Sequence, residues 1–275
     1  MGLDEILKRI KDVRIQGARN IAIAGLKAYK LKPTKSTIKK LLSLRETEPA
    51  LENALKFAEK NSIKESLEHF KFSKEEIKRI GWNVVKKRVF THCHSSHVVD
   101  VLIEAKKRGK KFEVYNTETR PLYQGRKTAR DLAKAGIKVT MIADLEAGDV
   151  LTDRGEINKV DVMLIGADAV LRNGDVINKV GSGMLAELAY RHNIPVYVVT
   201  GSWKFSHKNV DIEERSFKEL WKNAPKHVKI KNPAFEVIKA KYIKGIVSEL
   251  GILSVKDFLK KVKKTYPWIS KTKDI

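Results

Sequence analysis

The chain has 275 residues, 42% hydrophobic and 32% charged, with 56 basic residues against 33 acidic ones and a formal net charge of +23. That length and apolar content suffice to bury a core, in one large domain or two unequal ones. The charge attracts anions, both nucleic acids and phosphorylated metabolites, but no dense basic run or aromatic-interleaved basic segment of the RNA-binding type is present. RNA binding driven by charge alone therefore ranks last among the readings. Cys93 is the lone cysteine, which excludes an intramolecular disulfide and fits a reducing compartment. The N-terminal segment lacks the long apolar core of a signal peptide, and no apolar run approaches the roughly 20 residues that span a bilayer. A cytoplasmic protein without membrane contact is expected. Lys and Glu dominate the charged residues, and only Gln16 and Gln124 represent their type, a composition that leans towards a hot environment.

Residues 1 to about 80 read as a helical domain. Leu3, Ile6, Leu7 and Ile10 recur at helical spacing, and a second helix runs from Ala18 to about Tyr29. Ser36 is the expected cap of a third helix carrying Ile38, Leu41 and Leu42. Pro49 to Lys60 and Ser73 to Ile80 read as a fourth and a fifth.

From 81 to 275 the pattern is that of a Rossmann-like α/β domain. Val84–Thr91, Phe112–Asn116, Val139–Ile142, Val162–Ile165 and Val196–Val199 read as strands. Ser96–Lys107, Thr128–Ala135 and Ser182–His192 read as the intervening helices. This alternation implies a doubly wound parallel sheet with right-handed crossovers. In the tail, Lys226–Ile230 is an expected late strand and 254–264 an expected helix.

Ligands of such sheets sit outside the carboxyl ends of the strands. Four polar clusters fall there: His92 to Ser96, Glu118 to Pro121, Gly166 to Asp168, and Thr200 to Ser202. Cys93 lies between a strand and a helix, where the helix N-terminus favours a thiolate; the alternative is a small buried apolar residue. Asp168 after a buried strand and a glycine is either a helix N-cap or a catalytic carboxylate. Asn173-Gly174-Asp175 is a turn signal. Asn178-Lys179-Val180-Gly181-Ser182-Gly183 ahead of a helix suits a phosphate, although the order is neither GxxxxGK[ST] nor GxGxxG. Arg120 offers a bidentate contact to phosphate, or a surface salt bridge. His92, Cys93, His94 and His97 match no zinc spacing, and strand neighbours point to opposite faces, so no metal is expected.

Together these motifs resemble one family. It comprises the regulatory alpha, beta and delta subunits of translation initiation factor 2B, methylthioribose-1-phosphate isomerase and ribose-1,5-bisphosphate isomerase. The matching text is Thr91-His92-Cys93-His94-Ser95, Glu118-Thr119-Arg120-Pro121 with Gln124-Gly125, Gly166-Ala167-Asp168, and Asn173 through Gly181, followed by Ser202-Trp203-Lys204-Phe205 and Asn232-Pro233-Ala234-Phe235. The resemblance covers residues 12 to 250. It implies a catalytic pair, Cys93 and Asp168, which the eukaryotic regulatory subunits generally lack. It further implies that Arg14, Gly17 and Ala18 bind phosphate, and that Arg45, Arg120, Gln124, Asn178 and Lys179 contact the substrate. His94 stands where the isomerases usually have Asn, the helical domain is short for a ribose-1,5-bisphosphate isomerase, and Ser202 to Phe205 argues against the methylthioribose branch.

The implied reaction converts an aldose 1-phosphate into a ketose 1-phosphate by acid–base chemistry, with neither metal nor other cofactor. The alternative within the family is a regulatory subunit that binds translation initiation factor 2 and holds a phosphorylated ligand in the same cleft. A nucleotide regulator is compatible with either, and family membership implies a homodimer or higher oligomer.

Overall fold

Five helices open the chain: α1 (Leu3–Lys11), α2 (Ala18–Leu31), α3 (Lys35–Leu42), α4 (Pro49–Lys60) and α5 (Ile63–Gly81). The computed structural model describes residues 1–45, 47–152 and 160–270. Thr34, not Ser36, caps α3, its hydroxyl accepting from the Thr37 amide at 3.2 Å. The fifth helix starts ten residues earlier than Ser73. Ser62 caps it: its Oγ accepts from the Glu65 amide at 3.1 Å and donates to the Glu65 carboxylate at 2.7 Å. Its buried face, Ser66, Phe70, Ser73, Ile77 and Gly81, is regular in spacing but half small or polar, so apolar periodicity alone does not reveal it.

Thereafter strands and helices alternate: β1 (Arg88–Thr91), α6 (Ser96–Lys107), β2 (Glu113–Thr117), α7 (Gln124–Lys134), β3 (Lys138–Ile142), α8 (Ala147–Thr152) and β4 (Val162–Ile165). Next come β5 (Ala169–Leu171), β6 (Val176–Lys179), α9 (Ser182–Arg191), β7 (Val196–Val199), β8 (Phe205–Ser206), β9 (Phe235–Ile238), β10 (Gly245–Ser248), β11 (Gly251–Leu253) and α10 (Val255–Thr265).

The main sheet has the order β11-β10-β7-β4-β1-β2-β3. Its six strands from β10 to β3 pair in parallel, and β11 adds an antiparallel edge. That is the doubly wound order in which the path reverses between β1 and β4. Strand residues alternate between two apolar layers, as a period of two requires. Val89, Val162 and Leu164 pack with α5, α6 and Leu132 of α7. Phe90, Met163 and Ile165 belong to a larger cluster that runs from Ile6 of α1 to Phe258 of α10, so the helical segment and the sheet share one core.

A second, four-stranded sheet, β8-β5-β6-β9, grows from the chain after β4. The turn at Asn173-Gly174-Asp175 closes the β5–β6 hairpin, with Gly174 at φ +89°. Sequence reading does not reveal this sheet, because its strands are two to four residues long and gain order only from one another. Three further expectations need correction. Residues 82–84 form a 3-10 turn, so β1 starts at Arg88; α7 starts at Gln124; and Lys226–Ile230 is an exposed loop, not a strand.

Candidate active site

β1 and β4 are neighbours at the point where the strand order reverses, and the residues just beyond them face one cavity of about 790 Å³. Cys93 follows β1, Asp168 follows β4, and both line that cavity. Each is half-buried, with part of its surface open to the cavity and the rest deep in protein. Gly166 allows this approach, because a Cβ there would lie 2.8 Å from Cβ of Ser95, the N-cap of α6.

Cys93 sits at φ +68°, a conformation that costs a non-glycine residue about 1–3 kcal/mol and is held by its surroundings. Its amide donates to Thr119 Oγ1 at 3.0 Å, and its carbonyl accepts from Thr128 Oγ1 at 2.9 Å. The Thr119 hydroxyl is 3.2 Å from that of Thr117, which is 2.6 Å from His92 Nδ1; His92 Nε2 is 3.0 Å from the Val180 carbonyl. An amide only donates and a carbonyl only accepts, so every hydrogen in this chain is assigned. His92 carries its proton on Nε2, Nδ1 accepts from Thr117, and Thr117 accepts from Thr119. Burial keeps His92 neutral by pushing its pKa down. The same reasoning gives His94 a proton on Nδ1, donated to Thr128 Oγ1 at 3.1 Å, with its pKa pushed by burial down to about 4. The histidines flanking the cysteine are thus bonded into the wall.

Burial pushes the Cys93 thiol from an ordinary value near 9 up to about 11, against the pull of Lys179. This reverses the expected thiolate: the α6 N-cap is Ser95, two residues on, and desolvation of the anion exceeds what the helix terminus supplies. Alkylation by iodoacetamide at pH 8 is expected to run about a hundredfold slower than for a thiol of ordinary pKa, and to accelerate about tenfold per pH unit up to pH 10. As Cys93 is the lone thiol, mass spectrometry reads this directly.

Asp168 does not cap a helix; it precedes β5, and its amide donates to the Ile177 carbonyl at 2.8 Å. Burial pushes its pKa up, opposed by Lys204, Lys179 and Arg45. Asn178 and Lys179 end β6 on the same cavity. Asn178 Nδ2 donates to Ser182 Oγ at 2.9 Å. Lys179 is buried, its ammonium stands 5.0 Å over the Phe235 ring, and no carboxylate pairs with it among the described residues.

Arg14, Gly17 and Ala18 also line the cavity, Gly17 at φ +84° as N-cap of α2. Gln124 lines it too, its buried Oε1 without a partner among the described residues. Arg45 lines it, but its guanidinium is shared between Glu48 at 3.1 Å and Glu213 at 3.2 Å. Arg120 is not in the lining; its guanidinium donates to the Tyr123 hydroxyl and lies 5.1 Å from that ring's centre.

Sequence reasoning missed Glu48, Lys204, Glu213, Arg215 and His97 as lining residues. Lys204 is half-buried beside Asp168 and donates to the Ala167 carbonyl. Its loop is pinned to α4 by Asn53 Nδ2, which donates to the carbonyls of Trp203 at 2.8 Å and Phe205 at 3.0 Å. Lys204 stood within a motif quoted for its resemblance, the one available signal. Glu48 had none, because an acid ahead of a helical proline reads as an ordinary first-turn residue. Among the described residues no group of three metal-ligating side chains converges, and no helix is long and apolar enough to cross a membrane.

A cavity at the reversal point of a doubly wound sheet, lined by a thiol and by both cations and carboxylates, defines an α/β protein with a polar, charged cleft. The initiation factor 2 subunit family model matches residues 30–255, and the chain belongs to that family. Over 98% of its length it is 32% identical to ribose 1,5-bisphosphate isomerase of Methanocaldococcus jannaschii, covering 97% of that protein. It is 39% identical, over 68% of its length and 60% of the relative's, to methylthioribose-1-phosphate isomerase of Fervidobacterium nodosum. The crystal structure of a translation initiation factor 2B protein from Pyrococcus horikoshii superposes with a TM-score of 0.81 at 28% identity, over 92% of this chain and 96% of that one.

Proposed function

We propose that the protein is an aldose–ketose isomerase acting on a ribose 1-phosphate-type sugar phosphate, with ribose 1,5-bisphosphate as the leading substrate. The observation that carries this reading is the meeting of Cys93 and Asp168 on one cavity, beside Lys179. The isomerase names of relatives matching nearly the whole chain support it.

The chemistry requires one proton for the ring oxygen as the C1–O bond opens, and transfer of a proton from C2 to C1 as the C2 hydroxyl becomes a ketone. Asp168, its carboxyl pushed up by burial, is suited to exchange these oxygen-bound protons. Cys93 is suited to move the carbon-bound proton. As its resting thiol is neutral, turnover is expected to rise with pH as the thiolate fraction grows towards about 11. Lys179, the cation nearest the thiol in effect, favours that thiolate and offers a contact for the phosphate.

The direct test is conversion of ribose 1,5-bisphosphate to the ketose by purified protein, with 5-methylthioribose 1-phosphate as comparison. No ketose from either substrate overturns the reading. Lys179→Met is expected to raise KM by roughly ten- to a hundredfold, the weight of a charge-assisted hydrogen bond. A second reading, a regulatory subunit that binds translation initiation factor 2, draws on the Pyrococcus horikoshii structure. Capture of that factor together with absent turnover would favour it.

A further inference from the structure

Glu48 is the N-cap residue of α4, and its side chain is 1% exposed. One carboxyl oxygen, Oε1, accepts from Arg45 Nη2 at 3.1 Å. The other, Oε2, is buried and has no hydrogen-bond partner among the described residues, although the residue lines the cavity. A buried polar atom left without a partner costs about 1–3 kcal/mol, which points to a partner supplied by a ligand.

The charges around Glu48 decide its state. Arg45 comes from its own loop, Asp168 from the β4–β5 turn, Lys204 from the loop after β7, and Glu213 from the segment after β8. Arg45 pairs with both Glu48 and Glu213, and Arg215 also pairs with Glu213, at 2.7 Å. At Glu48 the loss of water outweighs the attraction of Arg45 and Lys204. Burial first, and Asp168 second, accordingly push the Glu48 carboxyl up to about 8. A neutral acid can donate from Oε2, where a carboxylate can only accept. It also leaves the wall short of one negative charge, which favours an anionic ligand.

We propose that Glu48 contacts the bound sugar as a neutral carboxylic acid, donating its Oε2 hydrogen to a hydroxyl oxygen beside Asp168. The inference rests on the sugar-phosphate reading of the cavity and adds to it a proton donor on the helical side of the cleft. Glu48 neighbours the group proposed to handle the ring-oxygen and hydroxyl protons.

The test is calorimetric binding of ribose 1,5-bisphosphate from pH 6.5 to pH 9.5 to wild type, Glu48→Gln and Glu48→Ala, with thermal unfolding to verify that each is folded. Gln keeps the shape and a donor N–H, so its Kd at pH 7 should stay within about threefold of wild type. Ala should weaken binding about tenfold or more. The wild-type Kd should rise above pH 8 as the acid ionises, and this rise should vanish in Glu48→Gln. If the rise persists in Glu48→Gln, the titrating group is another one, Lys204 foremost, and the inference is overturned. An unchanged Kd in folded Glu48→Ala also overturns it. Binding does not depend on turnover, so tight binding without ketose formation removes the isomerase reading and leaves this one standing. No binding by wild type removes both.

Discussion

Cys93→Ser and Asp168→Asn are each expected to lower kcat by roughly 10²–10⁴-fold, the usual weight of one positioned acid–base group, while sugar-phosphate binding persists. The reason lies in how little else each substitution disturbs. The Cys93 backbone is held by the Thr119 and Thr128 hydroxyls, and both of those bonds involve main-chain atoms of Cys93. A serine therefore keeps its place, but its hydroxyl ionises far above even the raised thiol and cannot take a proton from carbon at any working pH. Asp168 is likewise fixed through its own amide on Ile177. Asparagine there keeps the shape and loses the exchangeable proton. The measurement is ketose formation under saturating substrate, with Kd from calorimetry alongside. Turnover within about threefold of wild type in either variant would sink the catalytic assignment.

Gly125→Ala is expected to damage the protein most per atom added. A Cβ at this position would lie 1.8 Å from the Thr117 carbonyl oxygen and 2.9 Å from the carbonyl carbon, both main-chain atoms that no rotamer change can move. Asn116 Nδ2 donates to the Thr117 and Gly125 carbonyls at 2.9 and 3.0 Å, so the two segments are tied together where the methyl would enter. Overpacking of a tight site costs about 1–3 kcal/mol, and more where backbone must shift. Because Thr117 belongs to the hydroxyl chain that runs from His92 to the Cys93 amide, the shift is transmitted to the thiol. A lowered Tm together with a lowered kcat in the folded fraction is the expected outcome; wild-type values for both would contradict this account of the contact.

The linear order of residues determined much of this. The unbroken apolar strands Val162–Ile165 and Val196–Val199, and the helix Ser96–Lys107, appear where the pattern places them, because a strand buried on both faces needs an unbroken apolar run. Strand ends followed by His92-Cys93 and Gly166-Ala167-Asp168 likewise marked the cleft, since strand carboxyl ends in a doubly wound sheet point to one edge. Local pattern did not disclose the short strands of the second sheet, whose order comes from each other, or the length of α5, whose buried face is partly serine and glycine.

What only the tertiary structure decided is the electrostatic state of the cleft. The helix terminus near Cys93 argued for a thiolate; the burial around it decides for a thiol at about 11. The resemblance made Arg45 a substrate contact, and the fold shares its guanidinium between Glu48 and Glu213. Glu48 read as nothing in particular, yet folding strips water from it and sets Asp168 near it, holding its proton up to about 8. Residue type fixes which groups can ionise, but desolvation and neighbouring charge set whether they do, and both depend on segments far apart in the chain.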